Sequence, residues 1–122
     1  MARSKSSALV NIANGASLSG AVVLGDKVLI AIIVPAAWTA AALSFQASED
    51  NGATFYDLFD ATGTEVSILS ASVVAGRRIS IDPTAYIGVD CIKVRSGLTA
   101  AAVPQGAART IGLISRKIHA LD

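Results

Sequence analysis

The chain has 122 residues and a formal net charge of +1; 52% of its residues are apolar and only 5% are aromatic. This length is typical of a single domain, and such a domain buries a sizeable core without disulfides or metals. The near-neutral charge gives no electrostatic reason to expect nucleic acid or an anionic membrane as a partner.

Short apolar segments ended by turn residues follow one another from the N-terminus, and none has a sustained helical period. Asn14-Gly15 is a strong turn signal after the first segment, and Pro35 ends the third. The third segment is apolar on both faces, which predicts a central position in the domain. In chain order, the first predicted strands are residues 9–12, 18–24, 28–34, 43–48 and 54–59.

The second half of the chain continues the same pattern. Its predicted strands are residues 66–69, 78–82, 91–96 and 109–118. Eight or nine short strands at this spacing predict an all-β fold, an antiparallel β-sandwich of jelly-roll type. The side chains expected in its core are those of Ile30, Ile32, Val34, Phe45, Ile79, Ile81, Ile92 and Val94.

Residues 1–7 are predicted to be an N-terminal arm, and residues 8–122 a single sandwich domain. The arm contains Arg3 and Lys5 and no apolar side chain suited to anchor it on its own domain. We expect residues 1–12 to reach a neighbouring chain and the arm to become ordered there. No apolar stretch resembles a signal peptide or a membrane span, so we expect synthesis in the host cytoplasm.

The residues that could support catalysis or metal binding are few. The turn Glu49-Asp50-Asn51-Gly52 offers oxygen ligands for calcium, but without the alternate spacing of a calcium loop, so a solvated turn is favoured. Asp57 and Asp60 would act as paired carboxylates only if both reached one cleft, and surface charges are the simpler interpretation. With no base, nucleophile and orienting group in a recognisable arrangement, we expect a protein that is not an enzyme and needs no cofactor.

Charge is distributed unevenly along the chain. Every charged residue from 49 to 65 is acidic, and every one from 93 to 117 is basic. Either these segments are neighbouring strands that pair across a sheet, or they lie on opposite edges and meet between copies or partners. Both alternatives stay open. The candidate partner-binding residues are Arg3, Lys5, Glu49, Asp50, Asp57, Asp60, Lys93, Arg95, Arg109, Arg116 and Lys117.

The run from Val34 to Leu58, with its Trp38-Thr39 and Glu49-Asp50-Asn51-Gly52, resembles small proteins encoded among the virion genes of tailed phages and prophages. Ile81-Asp82-Pro83 and Ile92-Lys93-Val94-Arg95-Ser96-Gly97 fit the same pattern, so the resemblance extends over residues 34–118. It implies a virion location and a structural role, with capsid decoration ahead of a tail or collar part. The implied partners are capsid or other virion proteins and further copies of the chain.

A second resemblance is to the galactose-binding-like (discoidin) sandwiches. This likeness is carried by a strand, a Ser-x-Asp-x-Gly-like turn that ends at Gly52, an aromatic strand after it and the late Ile92-Lys93-Val94-Arg95 strand. It implies carbohydrate binding. A glycan-binding module for host adhesion is therefore the alternative function.

Overall fold

The computed structural model describes residues 5–117, and these form strands with only two short 3-10 turns, at Ser70–Ser72 and Pro83–Tyr86. This confirms the all-β prediction. The strands are β1 (Lys5–Ile12), β2 (Val22–Val23), β3 (Lys27–Ile33), β4 (Leu43–Ser48), β5 (Tyr56–Asp57), β6 (Ser67–Ile68), β7 (Arg78–Ser80), β8 (Cys91–Leu98), β9 (Ala101–Ala102) and β10 (Arg109–Lys117).

The strands form two antiparallel sheets. The first has the order β1-β10-β3-β7, so that β1 and β7 are its edges. The second contains six strands, in the order β2-β8-β4-β5 with β6 added to β4 and β9 added to β8. The chain crosses between the two sheets several times, so that β1 pairs with β10 and β4 with β8, and residues distant in sequence lie next to one another.

Apolar side chains from the inner faces of both sheets form one core. Ile32 and Leu113 are cross-strand partners in the four-stranded sheet, and Phe45 and Val94 are partners in the other. All four are buried in the same cluster. The Phe45 ring meets the buried Tyr86 ring edge to face, with centroids 5.3 Å apart. The two sheets therefore pack as a sandwich.

Most of the predicted core is confirmed, with one correction at Ile30. Ile32, Val34, Phe45, Ile92 and Val94 are buried. Ile79 and Ile81 are half-buried and pack against the core. Ile30 is only half-buried and lies outside the core cluster, and Leu29 is fully buried in its place.

A β-bulge explains the correction at Ile30. Along β10, Ile114 is paired with Ala31 and the next residue, Ser115, with Leu29. Ile30 is therefore the extra residue of β3, and the side chains that point inward change there from an odd position, Leu29, to even positions, Ile32 and Val34. Simple alternation along the sequence does not reveal such an insertion.

The N-terminal segment is already part of the sheet at Lys5. Strand β1 spans Lys5–Ile12 and pairs along its whole length with β10 of the same chain, with Lys5 opposite Arg116 and Ile12 opposite Arg109. Residues 5–7 of the predicted arm thus belong to the four-stranded sheet, while residues 1–4 lie outside the described part. Two other predicted strands are shorter than expected, since residues 18–24 and 54–59 contain only β2 and β5.

Candidate functional site

Arg95 lies on the outer face of the six-stranded sheet. The adjacent residue Val94 and its partner Phe45 point into the core, so alternation places Arg95 and its partner Ser44 on the opposite side. Neighbouring side chains nevertheless cover the arginine, and only 9% of its side chain is exposed. A cation this well covered needs anionic and hydrogen-bonding partners.

Two carboxylates and two hydroxyl groups surround the guanidinium. Arg95 Nη2 is 2.6 Å from Asp57 Oδ1, and Nη1 is 3.5 Å from Glu65 Oε2. Nη1 also donates to Ser44 Oγ at 3.2 Å and to Thr99 Oγ1 at 2.8 Å. We call these five residues the Arg95 cluster.

Hydrogen bonds to the carboxylates extend the Arg95 cluster to neighbouring segments. Glu65 Oε2 accepts from the backbone nitrogen of Thr99 at 3.0 Å and from its hydroxyl at 2.6 Å. Asp57 Oδ1 accepts from Gln46 Nε2 at 3.2 Å. The Arg95 cluster therefore joins β4, β5, β8, the segment before β6 and the turn between β8 and β9.

Arg95 stabilises the ionised form of Asp57. The hydrogen bond from the guanidinium lowers the pKa of the Asp57 carboxyl, and it outweighs the opposing effect of burial. A depressed pKa in the folded state contributes stability that is present above the unfolded-state value, about 3.9 for Asp. That contribution is lost as the pH falls through the folded-state pKa.

Asp57→Asn should therefore make the free energy of unfolding less dependent on pH in the acidic range. We expect the variant to be less stable than the parent at pH 7 and the difference to narrow as the pH falls below about 3.9. Urea unfolding across this pH range measures it. The exposed Ser67→Ala on the same face is the control and should differ from the parent by a constant amount. If the difference in stability between Asp57→Asn and the parent did not change with pH, the lowered pKa of Asp57 would be contradicted.

The outer face of the four-stranded sheet is apolar at its centre and basic around it. Val10, Ile111 and Leu113 point inward, so their neighbours point away from the core. Leu9 is 72% exposed there. We define the basic face by its apolar centre, Leu9, Ile33, Gly112 and Ile114, and by its cations, Lys5, Arg78 and Arg116.

A hollow of about 610 Å³ lies at the centre of the basic face, lined by Ser7, Leu9, Ile33 and Ile114 around Gly112. Gly112 is opposite both Leu9 and Ile33. A β-carbon at position 112 would be 3.1 Å from Ile33 Cβ, so a larger residue would press on its neighbour. The missing side chain leaves the space of the hollow open.

A groove of about 600 Å³ opens at the side of the sandwich, between β6 of one sheet and β7 of the other. Among residues 5–117, three carboxylates line it, and no lysine or arginine does. Leu69 at its edge is 73% exposed. We define the acidic groove by Asp60, Glu65 and Asp82 together with Leu69, Ile81 and Ala85.

The exposed acidic turns are held by their own hydrogen bonds. Asp50 Oδ1 accepts from Thr54 N at 2.9 Å and from Ser48 Oγ at 2.8 Å, and these bonds lower the pKa of its carboxyl. Asp60 Oδ1 accepts from the Thr62 hydroxyl at 2.6 Å, which lowers the pKa of Asp60 in the same way. Glu49 is exposed. Across residues 5–117, no three His, Cys, Asp or Glu side chains are grouped to hold a metal ion.

The other predicted cations have separate neighbours. The Lys93 Nζ lies 4.4 Å from the centre of the Phe55 ring. Lys117 Nζ is 3.4 Å from Asp26 Oδ2 at the surface. The structure does not bring either into the Arg95 cluster, and Arg3 lies outside the described residues.

Arg109 packs against a buried glutamine that the sequence analysis missed. Its Nε donates to Gln105 Oε1 at 3.0 Å, and Gln105 Nε2 donates to Ser96 Oγ at 2.7 Å and to Thr39 O at 3.0 Å. Gln105 thus attaches the Ala-rich segment before β10 to both sheets. An isolated glutamine in a loop carries no sequence signal for this role.

Both interpretations of the charge pattern describe part of the molecule. Asp57 and Arg95 belong to one sheet and form an ion pair across it, although their strands, β5 and β8, are separated by β4. Arg109, Arg116 and Lys117 instead lie on β10 in the other sheet, apart from the acidic segment. The strands of that sheet contain basic residues and no acidic one: Lys5, Lys27, Arg78, Arg109, Arg116 and Lys117.

None of the helical segments within residues 5–117 has the length and apolarity to cross a membrane. Cys91 is buried in β8, and His119 lies outside the described residues.

Two comparisons with known proteins bear on identity. No protein-family model matches this chain, and no curated protein sequence is significantly similar to it.

Proposed function

We propose that this protein is a structural subunit of a phage particle, placed on the head as a decoration protein rather than in the tail or collar. The observation that carries the proposal is the basic face. A sheet face with exposed apolar residues at its centre and charges around it is typical of a protein-binding surface. Binding of the assembled head would stabilise the head by mass action.

The strand pairing supports a jelly-roll topology. β1 pairs with β10, β2 with β8, β3 with β7 and β4 with β5. These four pairs are nested along the chain, each lying within the one before it, as in a long antiparallel ribbon rolled into two sheets. Jelly rolls occur in viral capsid proteins and in lectins, an analogy at the level of fold.

Attachment to the particle is assigned to the N-terminal segment together with edge strand β1. Residues 1–4 include Arg3 and lead directly into Lys5 at the start of β1. An edge strand presents unpaired backbone groups to a neighbour. Basic residues beside it would favour an acidic surface on the capsid.

Removal of residues 1–4 should weaken particle binding without destabilising the domain. The truncated chain keeps all of β1, so we expect an unchanged melting temperature. Stripped phage heads would be mixed with full-length or truncated protein, and the bound fraction compared after sedimentation. We expect a lower bound fraction for the truncated form, and full-length binding that weakens with salt. Equal occupancy by both forms would contradict the role of this segment, and no binding by either would contradict the proposed function.

Two exposed aromatic rings favour carbohydrate binding as the second candidate. Tyr56 in β5 is 68% exposed, and Phe59 is also exposed nearby in the chain. Sugars stack on such rings. A glycan array separates the candidates: the structural role predicts no specific signal, whereas a signal lost in Tyr56→Ala would favour adhesion.

A further inference from the structure

The basic face and the acidic groove carry opposite charges. Within residues 5–117, neither Lys5 nor Arg116 forms an ion pair, although the two residues are direct cross-strand neighbours. Like charges placed opposite each other destabilise a sheet, and an anionic partner would offset that cost. Asp60 and Asp82 line the acidic groove, and the described part of the chain places no lysine or arginine among its walls.

This distribution of charge disfavours a two-fold dimer through the basic face. In a two-fold interface the same patch meets itself, so Lys5, Arg78 and Arg116 would lie in one contact with the same three cations of the second copy. Repulsion between them would remain in the buried contact. A contact between two different surfaces avoids this repulsion.

The shapes of the two surfaces are also complementary. The basic face has a hollow beside Gly112, between Leu9 and Ile33. The acidic groove has a projecting apolar residue, Leu69, at its edge. A leucine side chain that leaves water for an apolar hollow gains binding energy, and the surrounding charges then set the orientation.

We infer that copies of this chain associate head to tail, with the basic face of one copy on the acidic groove of the next. Leu69 enters the hollow beside Gly112, and Asp60 and Asp82 face Lys5 and Arg116. This inference rests on the proposed function: it names a second copy as the partner of the basic face and leaves attachment to the head to residues 1–4 and the edge of β1. A contact between two different patches repeats from copy to copy and produces a ring or an open chain.

Leu69→Ser tests the apolar part of the contact. Sedimentation of the isolated full-length chain between about 1 μM and about 1 mM should show reversible association. We expect the association constant to fall about tenfold or more in Leu69→Ser, because the buried leucine is lost. The matched control is Val23→Ser, since Val23 is 70% exposed on the other sheet. A monomeric parent, or an equal loss in the control, would overturn the inference.

A pair of charge-reversed variants tests the orientation. Lys5→Glu/Arg116→Glu makes the basic face acidic, and Asp60→Lys/Asp82→Lys makes the groove basic. Each variant alone has matching charges on both surfaces and should not associate. Mixed in equal amounts, each face meets a groove of opposite charge, and we expect association to return. Failure of the mixture, with both variants folded by circular dichroism, would overturn the head-to-tail contact.

A more conservative pair of substitutions tests the same contact if Asp60→Lys/Asp82→Lys does not fold. Asp60→Asn/Asp82→Asn removes both charges and keeps the side-chain oxygens that accept hydrogen bonds from Thr62 and Thr84. We expect about a tenfold lower association constant, and an unchanged constant would contradict the inference. Self-association is measured without particles, so its failure is distinguishable from a failure to bind phage heads.

Discussion

Phe45→Ala should lower the free energy of unfolding by about 3–5 kcal/mol. The ring is fully buried in β4, between the two sheets. Truncation removes its edge-to-face contact with Tyr86 and leaves a cavity beside Val94, its cross-strand partner. Tyr86 is itself only 3% exposed, and burial raises the pKa of its hydroxyl because the ionised form would be poorly solvated there.

Urea unfolding followed by tryptophan fluorescence measures this loss, because Trp38 packs against the same core. Phe59→Ala is the matched control, since Phe59 is also aromatic and close in the chain but exposed. We expect its effect to stay within about 0.5 kcal/mol. If both variants lost the same stability, Phe45 would not occupy the centre of the sandwich.

Local sequence patterns were sufficient for the strands that form the core. Alternation predicted β4 and β8, and the apolar run predicted β3, because each pattern depends only on neighbouring residues. The bulge at Ile30 was missed, since it depends on how β3 meets β10. The ladder of Lys5, Ser6 and Ser7 was missed for the same reason. Polar residues carry no strand signal, although β10 pairs with them.

The Arg95 cluster could be predicted only in part. The acidic and basic segments suggested pairing across a sheet as one alternative, and Asp57 does pair with Arg95 in one sheet, but across the intervening strand β4. The positions of Glu65 and Thr99 depend on a turn and a hairpin. Gly97 adopts a φ of +96° there, and a β-carbon would lie 2.5 Å from Ala101 O, so the hairpin requires glycine. Which acidic residue meets which basic one follows from that tertiary geometry.

Arg95→Met should lower the free energy of unfolding by about 3 kcal/mol. Methionine keeps much of the side-chain volume but removes the cation, so Asp57 and Glu65 remain close together without a partner. Ser44 also loses a buried hydrogen bond. The loss should be larger than for an exposed pair, because only 9% of the Arg95 side chain and 13% of the Glu65 side chain are exposed.

Lys117→Met is the control for a surface ion pair. Lys117 Nζ and Asp26 Oδ2 are 3.4 Å apart, and both side chains are well exposed. We therefore expect Lys117→Met to lower the free energy of unfolding by less than about 1 kcal/mol. Arg95→Met/Asp57→Asn/Glu65→Gln removes the unpaired charges along with the arginine and should recover part of the stability lost in Arg95→Met. If the triple variant were less stable than the single one, hydrogen bonds to the two carboxylates would matter more than their charge. An Arg95→Met loss no greater than that of Lys117→Met would contradict the assignment of Arg95 as the residue that holds the outer face of the six-stranded sheet together.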